Sequence, residues 1–129
     1  MSEVRGVVVA HGNLARCLVE TTESISGVVG ALLPISNTGC SPDVLAARIR
    51  DAVGPGEALV FVDLASGSCA HAARLVGAEG VGAPVVSGVS LPMLLDFVFH
   101  RDLGSAELAT RAVEKGHAGT VAYLADDSS

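Results

Sequence analysis

Four short apolar runs, each closed by a small or polar residue and followed by a helical pattern, constrain this 129-residue chain most. Residues 6–10 read Gly-Val-Val-Val-Ala, 31–35 Ala-Leu-Leu-Pro-Ile, 58–62 Ala-Leu-Val-Phe-Val and 84–87 Pro-Val-Val-Ser. Continuous β-branched runs of this length are the pattern of strands covered on both faces. Pro34 weakens the second run, because proline cannot donate to a ladder, and makes it an edge strand. Between the runs lie helix signals. Asn13 can cap a helix that carries Leu14, Leu18, Thr21 and Ile25 and stops at Gly27. Ser41-Pro42-Asp43 supplies a cap, a first-position proline and an acid in the first turn, and Gly54-Pro55-Gly56 ends that helix. Ser68 opens a helix to about Val76, Pro92 sits in the first turn of another, and a last one runs from Ser105 to Lys115, stopped by Gly116. Strands alternating with helices predict an α/β fold: a doubly wound, mainly parallel sheet of order 2-1-3-4 with helices on both faces. A final strand is expected over 120–124. The reading is one domain over 1–125 and a polar tail over 126–129.

Composition narrows the function classes. Half of the residues are hydrophobic, which excludes disorder. Eight basic against 14 acidic residues give a net charge of −6, which argues against nucleic acid and anionic membranes as partners. No apolar run has the roughly 18–20 residues that a membrane span needs, and no cleavage pattern follows the N-terminus, so a soluble, cytoplasmic protein is expected. The three cysteines, Cys17, Cys40 and Cys69, are odd in number, far apart and without a C-x-x-C pair. They read as small hydrophobes rather than disulfides or zinc ligands, and the pattern calls for no metal and no cofactor.

In such a fold chemistry sits at the carboxyl ends of the strands, where strands one and three diverge. Those ends carry His11, then Asp63 with Ser66 and Ser68 in its loop, then Ser87 and Ser90. A carboxylate that accepts one ring N–H fixes the imidazole tautomer and leaves the other nitrogen as a nucleophile. Ser66-Gly67-Ser68 at a helix start offers hydroxyls, backbone N–H groups and the positive end of a helix dipole, an anion site. Nucleophile, orienting carboxylate and anion cradle together point to phosphoryl transfer through a phosphohistidine. A P-loop lysine and a second carboxylate for magnesium are missing, so the phosphoryl group would come from a donor protein. The competing reading makes His11 a hydrogen-bonded loop residue and Asp63 a turn residue.

His71, His100 and His117 fall within helices or beside Gly116 and are weaker candidates; Asp96 reads as a solvated helix position, and Arg16 and Arg74 as solvated or partner-attracting cations. The turn His11-Gly12-Asn13-Leu14 lacks the G-x-G-x-x-G of dinucleotide-binding domains. A receiver domain would add an acidic pair after strand one and a lysine after strand five, and Ser87-Gly88-Val89-Ser90 is not a hydrolase elbow.

Three runs in order, Val7-Val8-Val9-Ala10-His11-Gly12, Phe61-Val62-Asp63-Leu64-Ala65-Ser66-Gly67-Ser68 and Gly88-Val89-Ser90-Leu91-Pro92-Met93-Leu94-Leu95, resemble the EIIA domain of the mannose family of the bacterial phosphotransferase system. The 107–124 stretch is similar to that family's last helix and strand. The resemblance implies that His11 accepts a phosphoryl group from phospho-HPr and passes it to an EIIB component for carbohydrate uptake. It implies that Asp63 bonds His11, that Ser68 lies at the phosphoryl site with Ser66 and Gly67, and that Gly12, Ser90 and Met93 face partners. It also implies a homodimer in which the last strand exchanges between subunits. The chain departs from the family pattern at Ala65 and Ser66, where an aromatic residue and a glycine are common, at Cys69, where proline is common, and at Ser90, where asparagine is usual. Two alternatives stay open: a regulatory phosphoprotein that binds partners according to its phosphorylation state, and the phosphotransfer subunit of a dihydroxyacetone kinase.

Overall fold

The computed structural model describes residues 3–80 and 82–125. Its elements alternate in chain order: β1 (Arg5–Ala10), α1 (Leu14–Ser26), β2 (Leu32–Ser36), α2 (Pro42–Val53), β3 (Ala58–Val62), α3 (Ser68–Gly77), β4 (Val85–Val86), α4 (Leu91–Val98) and α5 (Ser105–Ala118). The four strands form one parallel sheet of order β2-β1-β3-β4, as the alternation predicts. The 2-residue alternation of a pleated strand divides the core in two. Val8 and Ala10 of β1 with Leu59 and Phe61 of β3 face α1, α4 and α5; Val7 and Val9 with Val60 and Val62 face α2 and α3. The two central strands therefore show no exposed face, which is why their sequences read as unbroken apolar runs.

Local signals set some of the element ends. Ser41 caps α2 by accepting from the Val44 N–H at 3.2 Å, with Pro42 at the helix start. Gly27 ends α1 with φ 76°, a left-handed turn that favours glycine. Pro34 lies on the edge strand β2 as expected. No described helix is long and apolar enough to cross a membrane.

Five expectations change. Asn13 stands at the start of α1 but makes no side-chain capping hydrogen bond, so the first-turn N–H groups have no side-chain cap. In α1 the buried positions are Ala15, Val19 and Thr22, while Leu14 and Ile25 are exposed; the inner stripe lies one residue later than the larger side chains suggest, because small residues allow the helix to approach the sheet. Gly116 does not stop α5 but continues it, buried against the Met93 side chain, whose terminal methyl would have to move to admit a Cβ there. Asp96 is not solvated: its side chain is 8% exposed and takes a two-pronged ion pair from Arg111 at 2.7 and 3.1 Å. The stretch expected as a last strand, 120–124, pairs with no strand among the described residues and leaves Val121, Tyr123 and Leu124 exposed. A strand exists only where a neighbouring edge takes up its N–H and C=O groups, and this segment finds none among the described residues. The polar tail at 126–129 lies outside the described residues.

Candidate active site

The parallel register Val9↔Val62 brings the ends of β1 and β3 side by side and so sets His11 next to Asp63. Asp63 Oδ2 accepts from the His11 backbone N–H at 3.0 Å and lies 2.8 Å from His11 Nδ1. Its other oxygen, Oδ1, accepts from the Leu64 N–H at 3.0 Å. The carboxylate is 10% exposed and the imidazole 45% exposed, so the acid is sheltered and the base is open to a partner. Burial pushes the Asp63 carboxyl up, but the His11 backbone and ring bonds, the attraction of the ring charge and the bond to its own backbone outweigh it. The net result holds Asp63 below the ordinary aspartate range. An ionised carboxylate only accepts hydrogen bonds, so the proton in the 2.8 Å contact belongs to Nδ1 and the lone pair to Nε2.

The loop after β3 turns at Gly67, whose φ of 100° favours glycine, and Ser68 begins α3. Ser66, Gly67 and Ser68 are all exposed at that helix start, where unpaired N–H groups and the helix dipole favour an anion. Arg74, one turn and a half further along α3, donates to the Ala65 carbonyl at 3.3 Å and braces this loop. Gly12, left-handed at φ 62°, turns the chain away from His11 into α1 and is exposed. It opens onto a groove of about 610 Å³ lined also by Asn13, Arg16, Pro34 and Thr38.

Ser90 and Met93 make no hydrogen bond to His11 or Asp63 among the described residues. Both line a second cavity of about 440 Å³ between β4, α4 and α5, with Ser87, Val113 and His117. Met93 is buried against Gly116, and the Ser90 hydroxyl is buried without a hydrogen-bond partner. His71 and His117 are exposed on helices, and His100 Nδ1 contacts the Asp96 carbonyl at 2.7 Å.

Two neighbours of His11 escaped the sequence reading. Asn37 Oδ1 accepts from the Gly12 N–H at 3.3 Å, and the Asn37 N–H donates to the Ala10 carbonyl at 3.3 Å, tying the β1 end to the loop after β2. The strand-end rule applied to the second strand as well as the others points to this residue. Cys69, buried in the first turn of α3, places its Sγ 3.8 Å from His11 Nδ1. Its burial raises the thiol pKa, the Asp63 charge and Cys40 act in the same direction, and a Ser68 hydrogen bond opposes them. Nothing in its spacing from His11 along the chain reveals this contact.

Residues 6–114 match the family model EIIA-man, described as PTS system fructose IIA component. Among solved structures, phosphotransferase system component EIIA from Streptococcus agalactiae is 25% identical with a TM-score of 0.86, the match covering 92% of this chain and 96% of that one. The mannose/sorbose specific IIA subunit from Enterococcus faecalis shares the fold at 18% identity and a TM-score of 0.84, over 99% of this chain and 100% of that one. The PTS IIA protein associated with the fucose utilization operon of Streptococcus pneumoniae shares it at 20% identity and a TM-score of 0.70, over 88% and 93%. No curated protein matches the chain. With a family match running from β1 into α5, over a sheet of the same order and helices on both faces, the chain belongs to the EIIA-man family of sugar phosphotransferase-system IIA components.

Proposed function

We propose that this chain is a cytoplasmic phosphocarrier in which Nε2 of His11 takes a phosphoryl group from phospho-HPr and yields it to an EIIB component. The observation that carries this reading is the 2.8 Å contact between Nδ1 and the sheltered Asp63 carboxylate, which leaves Nε2 unprotonated on the half-exposed side of the ring. The Nε2 lone pair attacks phosphorus as the P–N bond to the donor histidine breaks, and the bonding pair returns to the donor ring. His11 then carries the phosphoryl group on Nε2 and the proton on Nδ1, a ring with positive charge that Asp63 offsets. Because the ring keeps that proton, it departs as a neutral imidazole when the acceptor attacks. The relay is thus reversible, and its electrons and proton balance on the two side chains and the two partner proteins.

Ser66, Gly67 and Ser68 supply the anion-favouring helix start on which the phosphoryl oxygens settle, and Gly12 and Arg16 belong to the face that partners cover. Ser90 and Met93 act from beneath, as packing for α4 and α5, rather than by direct contact with a partner.

Incubation with enzyme I, HPr and phosphoenolpyruvate should add one acid-labile phosphoryl group by intact mass, and phosphorus–proton NMR should place it on Nε2. The Nδ1 isomer would overturn the tautomer assignment. Asp63→Asn keeps an acceptor for Nδ1–H but removes the charge, and transfer should slow roughly 100-fold, the size of a lost charge interaction at close range. Loading without transfer to any EIIB would select the regulatory reading, and exchange with the ADP-bound subunit of dihydroxyacetone kinase would select that relay.

A homodimer by exchange of 120–124 is supported by three apolar side chains, Val121, Tyr123 and Leu124, left exposed on a segment without a strand partner among the described residues, and by an open sheet edge at β4. Sedimentation should give twice the chain mass, and a chain ending at 119 should sediment as a monomer; equal mass for both rejects the exchange.

A further inference from the structure

The linear spacing of cysteines and histidines carries no metal motif, yet the fold gathers three different ligating atoms at one strand end. His11 Nδ1, an Asp63 oxygen and Cys69 Sγ all lie within 4.8 Å of one another. Two of the separations are 2.8 Å (Nδ1 to Oδ2) and 3.8 Å (Nδ1 to Sγ). We propose that His11, Asp63 and Cys69 form a binding site for a zinc-class divalent cation, and that metal held there prevents His11 from accepting a phosphoryl group. The second half of this proposal rests on the phosphocarrier reading; the first does not.

The geometry is close to what such an ion needs. Zinc–ligand bonds of about 2.0–2.3 Å in a tetrahedron put neighbouring donor atoms roughly 3.4–3.6 Å apart. Two of the separations bracket that range and the third lies within 4.8 Å, so side-chain adjustments of roughly an ångström, smaller than a rotamer change, bring the three atoms to it. One nitrogen, one carboxylate oxygen and one sulfur form a borderline-soft set, which selects zinc or cobalt over magnesium or calcium. The buried thiol and the sheltered carboxylate are preorganised on the strand end and the first turn of α3, while the 45% exposed imidazole leaves a way in from solvent.

Coordination and phosphorylation make opposite demands on one ring. Metal at Nδ1 needs the lone pair there, so the single proton of the neutral imidazole moves to Nε2. A protonated Nε2 has no lone pair for phosphorus. The Cys69 thiol gives up its proton to solvent as the sulfur binds, as coordinated thiols do, and Asp63 enters already ionised. The bound metal therefore stabilises the tautomer that cannot act, whereas Asp63 alone stabilises the one that can.

Cobalt tests the site without any phosphotransfer. Titration of the unphosphorylated full chain with Co²⁺ should saturate at one ion per chain and raise a thiolate-to-cobalt charge-transfer band in the near ultraviolet, which Zn²⁺ abolishes by competition. The band should persist in Cys17→Ser and Cys40→Ser and vanish in Cys69→Ser. Affinity should fall at least about 10–100-fold in Cys69→Ser and Asp63→Asn, since loss of a mere outer-shell partner already has that effect. Absence of the band in the wild type, or its loss with Cys17 or Cys40 instead of Cys69, overturns the site. Nitrogen-15 shifts of the His11 ring in the wild-type chain give the same decision without a variant: they must report zinc on Nδ1 and a proton on Nε2.

The antagonism is read with preformed phospho-HPr freed of enzyme I, so that the metal acts on this chain alone. With Zn²⁺ at 100 times its dissociation constant, about 1% of the chain keeps the nucleophilic tautomer and phosphoryl uptake should slow roughly 100-fold. At the same concentration Cys69→Ser, with its affinity about 10–100-fold lower, should slow only roughly 2–10-fold. Equal uptake with and without bound zinc rejects the antagonism. A chain that shows the cobalt band but takes no phosphoryl group even in metal-free buffer rejects the phosphocarrier reading and leaves the metal site standing.

Discussion

His11→Ala should take up no acid-labile phosphoryl group from phospho-HPr while keeping the fold of the wild type, a loss of function without a loss of structure. The imidazole is 45% exposed, so little core volume goes with it. The His11 backbone N–H still donates to Asp63 Oδ2, and the Leu64 N–H still donates to Oδ1, so the carboxylate keeps two of its three hydrogen bonds. Loss of the remaining ring contact should lower stability by on the order of 1 kcal/mol. Intact mass after incubation with the donor and a urea unfolding curve check the two halves separately. A phosphoryl group that survives in His11→Ala would move the acceptor to His71, His100 or His117. His100 Nδ1 lies 3.4 Å from the Asp96 carboxylate, which Arg111 already pairs at 2.7 Å, and His71 and His117 have no carboxylate partner among the described residues.

Phe61→Ala should produce the largest stability change, about 3–5 kcal/mol, the range for truncating a fully buried phenylalanine. Phe61 is 0% exposed at the centre of β3, the strand that pairs with both β1 and β4. Its ring meets Phe97 of α4 edge to face, with centroids 5.4 Å apart and planes at 82°. Truncation opens a cavity between sheet and helix that rigid neighbours on β1 and β3 cannot fill. Against the roughly 5–15 kcal/mol that holds a domain of ordinary stability, this is a large fraction. Phe61→Leu retains most of the volume and should lose markedly less. A denaturant midpoint within error of wild type for Phe61→Ala would mean that the α4 face of the sheet does not bear the packing described for it. Phosphoryl acceptance per folded molecule should be unaffected, because the pocket end of β3 is set by the backbone ladder of Val60, Phe61 and Val62 rather than by the ring.

The parallel sheet and the pairing of His11 with Asp63 follow from local pattern. A strand buried on both faces has no polar alternative at alternate positions, so the valines of 6–10 and 58–62 announce it without reference to the rest of the chain. Once two such strands are neighbours in parallel, the residues just past their ends must meet, and in this chain those residues are an imidazole and a carboxylate. Caps and left-handed glycines are legible for the same reason: Ser41 and Gly27 act on backbone groups within a turn of themselves.

What sequence left open depends on which surfaces meet across long separations. Asp96 reads as a solvated helix position until Arg111, on another helix, is laid against it; Gly116 lies inside α5 packed on Met93, whereas a glycine in a string of letters equally signals a stop. Cys69 reads as one small hydrophobe among three, and its sulfur comes to 3.8 Å from His11 through a contact 58 residues apart along the chain. The segment 120–124 carries a strand's composition, but a strand is made by its neighbour, and whether an edge is within reach is a property of the fold. Short-range hydrogen bonding and periodic burial are written residue by residue and can be read that way. Close packing and the convergence of side chains from distant elements arise only when the elements dock, and they turned the carboxylate–imidazole pair into a three-ligand site.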